Sequence, residues 1–400
     1  MELLSICATE AQLQLWRSTL ENFLYTAFFP PLFALGLVGN ALNLMVLCSN
    51  DIMSRANVFL ACLAVCDVCF LLLMVPHSLA NFDLFGHSFV FRSLYLPAKM
   101  HLIAFANWTS AVAIWLVVVV CCERVLGVRS PLHRLGDPSR MRMLIGMLCL
   151  LVMAGALTFY NHVSHHCLVR TICNGTQILS ICMDVNMHTW PGNRPNSSPL
   201  ALRKYVQWTR MANAIFVVVV PLLLLIILNI MLLYYVRKRS YFAYETLGKV
   251  TQRIQRKESP SLPYLTTLFR RHSDQIVQQK TEHRVAVTVC AVVTSFTLTQ
   301  APSAVVLCIN SLFPGLEFRS TETWYAITSI TSFLVVVGKS LNFVVFCLSS
   351  SNFRHRLFAM LRSKCGAREE RRPHSVLTSY TSCSSSTRRL SPKKESFQHL

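Results

Sequence analysis

Seven long apolar stretches, separated by polar segments, dominate the pattern of the chain. They run over residues 24–48, 56–80, 94–124, 141–162, 206–236, 284–308 and 323–348. Each is long enough to cross about 30 Å of hydrocarbon as an α-helix. Because lipid offers the backbone no hydrogen-bond partners, each stretch is predicted to be helical. The pattern therefore predicts an all-α membrane protein, with a bundle of seven transmembrane helices over residues 24–348.

The two polar ends of the chain differ in character. Residues 1–23 are predicted to form an extracellular N-terminal segment, and they show no cleavable signal peptide. Residues 349–365 repeat apolar residues at helical spacing between Arg and Lys, which predicts a short amphipathic helix on the membrane surface. Cys365 at its end is either palmitoylated or an unmodified cysteine. Residues 366–400 are rich in Ser, Thr, Arg and Lys, and we expect a disordered cytoplasmic tail.

The distribution of charge predicts an orientation and excludes one class of partner. Only 14% of the 400 residues are charged, against about 25% in soluble domains. Most of the 38 Lys and Arg residues lie in the tail and in the loops after the first, third and fifth stretches, and such an excess marks the cytoplasmic side. An anionic lipid leaflet and an acidic cytosolic partner explain this charge better than nucleic acid does. We therefore expect a multi-pass plasma-membrane protein with its N-terminus outside and its C-terminus inside the cell.

The loop between the fourth and fifth stretches has extracellular features. Its sequons at Asn174 and Asn196 can be glycosylated only on the lumenal side. The cysteines expected in this oxidising compartment are Cys7, Cys167, Cys173 and Cys182. They allow three disulfide pairings, and the sequence does not choose among them. No zinc-ligand spacing occurs, so we expect neither a metal nor a cofactor.

A series of motifs falls in order on the predicted helices. They are Gly39-Asn40 in the first, Asp67 and Pro76 in the second, Glu123-Arg124-Val125 at the end of the third, Pro221 in the fifth, Phe296 and Pro302 in the sixth, and Asn342 in the seventh. On these motifs the chain resembles the rhodopsin-like G-protein-coupled receptors over about residues 24–365. Within that family it is most similar to invertebrate neuropeptide receptors of the FMRFamide type, through Asn342-Phe343, the Thr158–His162 segment and the long cysteine-bearing loop.

The resemblance implies a switch at the cytoplasmic ends of the helices. Arg124 would be held by Glu123 and by Glu282, and its release would let the sixth helix swing out and admit a heterotrimeric G protein. The alternative is that Arg124 and Glu282 are solvated charges at the edges of loops. The family's packing switch between the third, fifth and sixth helices matches Ile114, Pro221 and Phe296.

Several departures from the family pattern keep other functions open. Lys99 stands in place of the cysteine at the outer end of the third helix, so the usual disulfide cannot form. Gln300 replaces a switch tryptophan, and Asn229 and Phe346 replace two tyrosines. An atypical receptor with altered or constitutive coupling is therefore one alternative to a peptide-activated receptor. A transporter or channel is a further alternative, although no internal repeat or broken helix pair supports it. No arrangement of nucleophile, base and oxyanion donors predicts an enzyme.

Lys339 lies in the interior of the seventh stretch, where a cation is costly unless it finds an anion. We expect it to face the interior of the bundle and to form a buried polar core with Asp67 and Asn40. In the family the acid at Asp67 binds sodium, and here most of the polar groups that complete that site are absent. The hypothesis is that Lys339 replaces the sodium ion. The alternatives are a lysine bonded to helix carbonyls and a retinal Schiff base.

Polar and aromatic residues near the outer helix ends are the ligand candidates. They are His101, Asn107, Asp184, Gln207, Trp208, Gln300, Glu317, Glu322 and Trp324. Ala106 stands where aminergic relatives have an aspartate, so the resemblance disfavours a small amine. The guanidinium of an Arg-Phe-amide peptide would need a carboxylate, for which Glu322 is the first candidate and Glu317 and Asp184 follow. Each acid could instead be an ordinary loop residue.

Two sites in the cytoplasmic segments predict regulation by phosphorylation. Ser273 and Ser391 each follow an Arg-Arg-x pattern, which basophilic kinases recognise and which also arises by chance. Phosphate on the Ser/Thr-rich tail would offset its positive charge and offer oxygens to a basic, arrestin-like protein.

Overall fold

The computed structural model describes most of the chain. The described residues are 7–48, 55–129, 140–187, 189–190, 194–256, 287–311, 321–349 and 351–369. Four predicted site residues lie outside these ranges, namely Ser273, Glu282, Glu317 and Ser391.

Seven helices are long and apolar enough to cross a membrane, as the hydrophobic pattern predicts. They are α1 Thr19–Leu47, α2 Arg55–Leu79, α3 Phe89–Arg129, α4 Arg140–Thr158, α5 Leu200–Asn213 continuing through Ala214–Val219 to Val220–Arg256, α6 Val287–Ser311 and α7 Glu322–Ser349. An eighth helix, α8, spans Ser351–Glu369. Short helical turns cover Glu10–Leu13, Asp83–Gly86 and Tyr160–Val163.

Several helices extend beyond the apolar stretches that predict them. The third stretch was expected over residues 94–124, whereas α3 covers Phe89–Arg129. Hydrophobicity records only the part of a helix that lipid can solvate, and the backbone hydrogen bonds continue into the polar flanks. For the same reason α1 begins at Thr19, inside the segment expected to be an N-terminal extension.

The connection between α4 and α5 contains an antiparallel hairpin that the sequence reasoning missed. Strand β1 is His165–Ile172 and strand β2 is Gln177–Asp184. Residues 173–176 form the turn, in which Asn174 and Gly175 have φ values of 50° and 89°. Gly175 adopts this left-handed conformation without the steric cost that a Cβ adds. A second, smaller pair joins β3 Thr189–Trp190 to β4 Arg194–Pro195.

Two disulfides hold the hairpin and the N-terminal segment. Cys167 and Cys182 lie opposite each other in the strand register and are bonded. Cys173 at the turn is bonded to Cys7, 166 residues earlier in the chain. This pairing resolves the three possibilities that the sequence left open. We call the side of the bundle that carries the hairpin the hairpin end.

Arg92, near the start of α3, ties three segments together at the hairpin end. Its side chain is buried, and the guanidinium donates to three backbone oxygens: Ile178 O at 2.8 Å, Leu13 O at 2.6 Å and Gly86 O at 2.7 Å. Ala8 adds a pair of hydrogen bonds with the side chain of Gln177, at 2.8 and 3.3 Å. The segment before α1 is therefore fixed against the hairpin by both covalent and polar contacts.

Small residues allow α1 and α6 to approach α7 closely. A Cβ at Gly39 of α1 would lie 2.6 Å from Cβ of Phe343. A Cβ at Gly338 of α7 would collide with the side chain of Thr299 in α6. Helices in lipid associate through such close packing rather than through a hydrophobic driving force. The glycines therefore bring the centre of α7 into the polar core.

The chain divides into two compact units, Met1–Leu357 and Phe358–Leu400, and α8 begins in the first. In the first unit the ring of Phe353 packs edge-on against Phe343, with centroids 6.2 Å apart. In the second unit the described residues continue the helix to Glu369, four residues beyond its predicted end at Cys365. The predicted disordered tail therefore begins too early, because Ala367, Arg368 and Glu369 favour a helix.

Candidate functional site

A buried ion pair occupies the centre of the bundle. The Lys339 ammonium lies 2.8 Å from Asp67 Oδ1, and the two side chains are 1% and 0% exposed. The amide of Asn342 donates to the other carboxylate oxygen of Asp67. Asn40 donates to the backbone oxygens of Lys339, at 3.3 Å, and Gly36, at 2.9 Å. The charge on Lys339 is thus balanced directly by the partner that the sequence analysis assigned to it.

Two aromatic rings flank the ammonium group of this pair. Lys339 Nζ lies 5.6 Å from the ring centroid of Phe70 and 5.8 Å from that of Phe296. Ring faces attract a cation, and the attraction grows when water is excluded. The carboxylate and the two rings together solvate a cation that lipid cannot solvate.

A cavity of about 350 Å³ lies between the helices. Its polar wall includes His77, Asn107, Tyr160, Asn161, Asn213 and Gln300. Its apolar wall includes Ile103, Ile114, Val217, Leu225, Phe296 and Leu307. A volume of this size suits a small organic group or one to two residues of a peptide.

The predicted packing switch lies partly in this wall. Ile114 and Phe296 both line the cavity, and Phe296 also faces the ion pair. Pro221 is buried in α5 and follows the wide helical turns of Ala214–Val219. Proline has no backbone N–H to donate to the preceding helical turn. The wider turns of the π-segment are a helix distortion of the kind found next to such an interruption. Cavity and ion pair therefore share two side chains, Phe70 and Phe296.

The structure brings only some of the predicted ligand residues to the cavity. Asn107 and Gln300 line it. Gln207 and Trp208 are exposed, because Val206 and Asn213, two helical turns apart, present the buried face of α5. These two residues therefore do not line the cavity, and their contact with a ligand near the outer helix ends stays a prediction. Trp324 is buried near the start of α7 and does not line the cavity either.

Other predicted ligand residues already have partners near the hairpin end. His101 Nδ1 lies 2.9 Å from His162 Nδ1. Asp184 forms an ion pair with Arg210 at 3.0 Å. Burial lowers the pKa of His165, which pairs with Asp184 across the strands; the Asp184 carboxylate opposes this shift and Arg210 adds to it. Glu322, exposed in the first turn of α7, keeps its carboxylate accessible to a ligand.

Glu21 is an acid beside the cavity that the sequence reasoning missed. Its carboxylate is 16% exposed and lies 3.7 Å from His77 Nε2. His77 lines the cavity, and its Nδ1 lies 3.0 Å from the hydroxyl of Tyr95. The signal was the Ser18-x-x-Glu21 spacing of a capping box. Ser18 does cap the backbone N–H of Glu21 at 3.1 Å, and this marks the start of α1.

At the opposite end of the bundle, Glu123 and Arg124 are partly buried in α3 and Val125 is fully buried. Glu282 lies outside the described residues, so the clasp between α3 and α6 stays a prediction. Pro302 lies inside α6 and Asn342 in α7, on the helices that the motifs assign to them.

The asparagine side chains of the two sequons differ in their hydrogen bonding and hence in their availability for glycosylation. Asn174 is exposed in the hairpin turn. Asn196 uses its amide nitrogen to donate to Val185 O at 2.8 Å and Met187 O at 2.6 Å. A glycosylated amide has one N–H left and cannot keep both bonds. We expect Asn174→Gln to remove a glycosidase-sensitive shift on a gel and Asn196→Gln to leave it. The reverse result would contradict this assignment.

Known proteins resemble the chain over most of its length. Residues 39–346 match the model of the 7 transmembrane receptor (rhodopsin family). A putative G-protein coupled receptor of Caenorhabditis elegans is 37% identical over 379 residues, covering 94% of this chain and 82% of that protein. Galanin receptor type 2 of Mus musculus is 34% identical over 147 residues, 35% of this chain and 38% of the receptor. Sex peptide receptor-related protein 2 of Caenorhabditis elegans is 24% identical over 353 residues, 84% of this chain and 70% of that protein.

Proposed function

This chain belongs to the rhodopsin family of seven-transmembrane receptors, and we propose that an extracellular neuropeptide activates it. It is a G-protein-coupled receptor and not an enzyme, as its family membership implies. The hairpin end faces outside the cell in this proposal, and α8 lies on the inner membrane surface. A heterotrimeric G protein binds at the Glu123-Arg124-Val125 end, and an arrestin-like protein binds the phosphorylated tail.

The cavity beneath the hairpin is the observation that carries the proposal. It lies between the helices, and several amide and hydroxyl side chains converge in its wall. Such groups hydrogen-bond peptide backbone and amide ends. The two-disulfide frame above it fixes the N-terminal segment and the hairpin as a rigid surface for the rest of a longer ligand. Matched relatives are named for galanin and for sex peptide, which supports a peptide ligand.

A neuropeptide library applied to cells that express the receptor tests the proposal. Calcium and cyclic AMP are the readouts, and we expect at least one peptide to raise or lower one of them. Arg124→Ala at the same surface level is the control, and it should abolish the response by disabling the coupling end of α3. A chain that conducts ions without ligand and ignores every peptide would favour the channel alternative.

We further propose a ligand of the Arg-Phe-amide type, whose guanidinium requires an acid near the hairpin end. Separate replacement of Glu322, Glu317, Asp184 and Glu21 by their amides should reveal it. A charge-assisted hydrogen bond contributes about 1.5–3 kcal/mol, so one variant should lose about tenfold to a hundredfold in agonist potency. Asp184→Asn is expected to have the smaller effect, because Asp184 is already paired with Arg210.

A matched ligand separates the acid from its surroundings. The peptide with citrulline in place of Arg has nearly the same shape and no charge. The variant that loses potency should respond equally to both peptides, whereas the wild type should prefer Arg. Unchanged potency in all four variants would remove the proposed guanidinium contact.

A further inference from the structure

Two histidines from different elements meet at the hairpin end of the bundle. His101 lies on α3, His162 lies on the short helical turn that follows α4, and their Nδ1 atoms are 2.9 Å apart. The two residues are 61 positions apart in the chain, so their proximity leaves no zinc-ligand spacing in the sequence. Their contact is exposed. It uses one proton, which one imidazole donates from Nδ1 to the Nδ1 lone pair of the other.

Aromatic neighbours hold the His162 ring in position. Phe105, one helical turn after His101 on α3, meets this ring nearly edge-on, with centroids 5.0 Å apart. The Phe159 ring lies 5.6 Å from it, again between centroids. The centroids of the two imidazoles are 5.2 Å apart, and their planes are inclined by 29°. The pair is therefore preorganised, while His101, which is exposed, keeps room to rotate.

The surroundings of the pair are compatible with a bound cation. Lys99 lies two residues before His101, which is about 200° around the helix, and its ammonium approaches the Tyr95 ring instead. The hairpin begins two residues after the turn that carries the second histidine. At the base of the hairpin, the ion pair between Asp184 and Arg210 is partly exposed. Charged side chains at this level indicate water rather than lipid, so a dissolved ion can reach the pair.

We infer that His101 and His162 form a zinc site, in which Zn²⁺ takes the place of the shared proton. Zinc lies about 2.0–2.1 Å from imidazole nitrogens and favours tetrahedral angles. This geometry requires ring centroids roughly 5.2 Å apart, and the two rings already have that separation. Rotation of the rings that moves the Nδ1 atoms from 2.9 Å to about 3.4 Å apart completes it. The proton passes through water from Nδ1 to Nε2 of its own ring, so both Nδ1 lone pairs face the ion.

The number of protein ligands determines the character of the site. Among the described residues, no third His, Cys, Asp or Glu side chain joins the pair. Water fills the other two positions of a tetrahedral ion, so we expect reversible binding that follows the zinc concentration rather than a permanent structural metal. Imidazole suits Zn²⁺, whereas Mg²⁺ and Ca²⁺ prefer oxygen ligands. The site therefore discriminates against these two ions.

Bound zinc links α3 to the wall of the cavity. Tyr160 and Asn161, the two residues before His162, line the cavity, and so does Ile103, two residues after His101. A zinc ion therefore fixes the outer ends of two elements that shape this cavity. Zinc binding requires no peptide, so the inference stands apart from the proposed ligand, and a silent peptide screen leaves it intact.

Zinc binding to the purified full-length receptor tests the inference. Competition with a fluorescent zinc chelator counts the ions that the receptor withholds. We expect the wild type to withhold one ion that His101→Asn and His162→Asn each lose, because each variant keeps a single imidazole. Zn²⁺ should also raise the unfolding temperature of the wild type, since it binds only the folded pair, and Mg²⁺ should not. Both variants should lose this rise.

A histidine at the same end of the bundle supplies the matched control. His166 is exposed on β1 and stacks on Trp190, and His166→Asn should withhold as much zinc as the wild type does. Equal zinc binding by the wild type and both pair variants overturns the inference, as does equal stabilisation by Mg²⁺ and Zn²⁺. Should both variants fail to fold, the wild type still decides, because zinc that leaves its unfolding temperature unchanged overturns the inference.

Discussion

Lys339→Met is expected to lower the free energy of unfolding by about 3–5 kcal/mol, because it leaves the Asp67 carboxylate buried without its partner. Asp67→Asn should have a similar effect by stranding the ammonium, although it keeps an oxygen for the amide of Asn342. The double variant should recover most of the loss, since a neutral pair has little charge to desolvate. Thermal unfolding of the purified receptor measures all three. Additive losses in the double variant would contradict a direct pair.

Two controls belong with this cycle. Lys204→Met removes an exposed lysine of α5 and should leave the unfolding temperature unchanged. Exchange of sodium for choline at constant ionic strength should also leave the wild type unchanged, because the ammonium already occupies the carboxylate. A marked stabilisation of the wild type by sodium would show that Lys339 does not take the place of that ion.

Arg92→Met is expected to cause the second large loss of stability. The substitution leaves three buried carbonyls, those of Leu13, Gly86 and Ile178, without a donor. Each unpaired group costs about 1–3 kcal/mol, so we expect lower surface expression and a lower unfolding temperature. Arg92→Lys should recover only part of the loss, because one ammonium cannot reach three oxygens with the geometry of a guanidinium.

An arginine on the hairpin that Arg92 contacts supplies the matched control. Arg170 in β1 is exposed, and Arg170→Met should unfold as the wild type does. The disulfide between Cys7 and Cys173 persists in both variants, so the comparison isolates the hydrogen bonds from the covalent link. Equal unfolding temperatures for Arg92→Met and the wild type would show that water replaces the guanidinium without cost.

The hydrophobic pattern predicts the helices well, because crossing a bilayer leaves the backbone few alternatives. It does not predict β1 and β2, since most residues of β1 are at least partly exposed and show no clean alternation. The Asn174-Gly175 dipeptide was a usable signal, because it favours hairpin turns. The disulfide pairing could not be predicted, because four cysteines allow three pairings and the sequence alone does not show which of them lie close together in the fold.

The ion pair was predictable because a lysine inside a membrane is costly unless it pairs with an anion. Asp67 lies inside the second apolar stretch and was the acid available to Lys339. The cavity was not predictable to the same degree. Gln207 and Trp208 look as suitable as Asn213 in sequence, and the rotation of α5 alone separates the buried side chain from the exposed ones. The sequence analysis missed Glu21 because the first apolar stretch begins after it, at residue 24, whereas helix α1 already begins at Thr19.

Gly39 of α1 lies close to Phe343 of α7, and Phe343 divides α7 into two segments of unequal length. Phe343 retains the backbone N–H that proline lacks, and α7 runs unbroken over its 28 residues. At 1.5 Å per residue, about 32 Å of the helix lies on the Glu322 side of Phe343 and about 9 Å on the Ser349 side. A tilt of α7 about the Gly39–Phe343 contact therefore moves its Glu322 end roughly 3.5 times as far as its Ser349 end, and in the opposite direction.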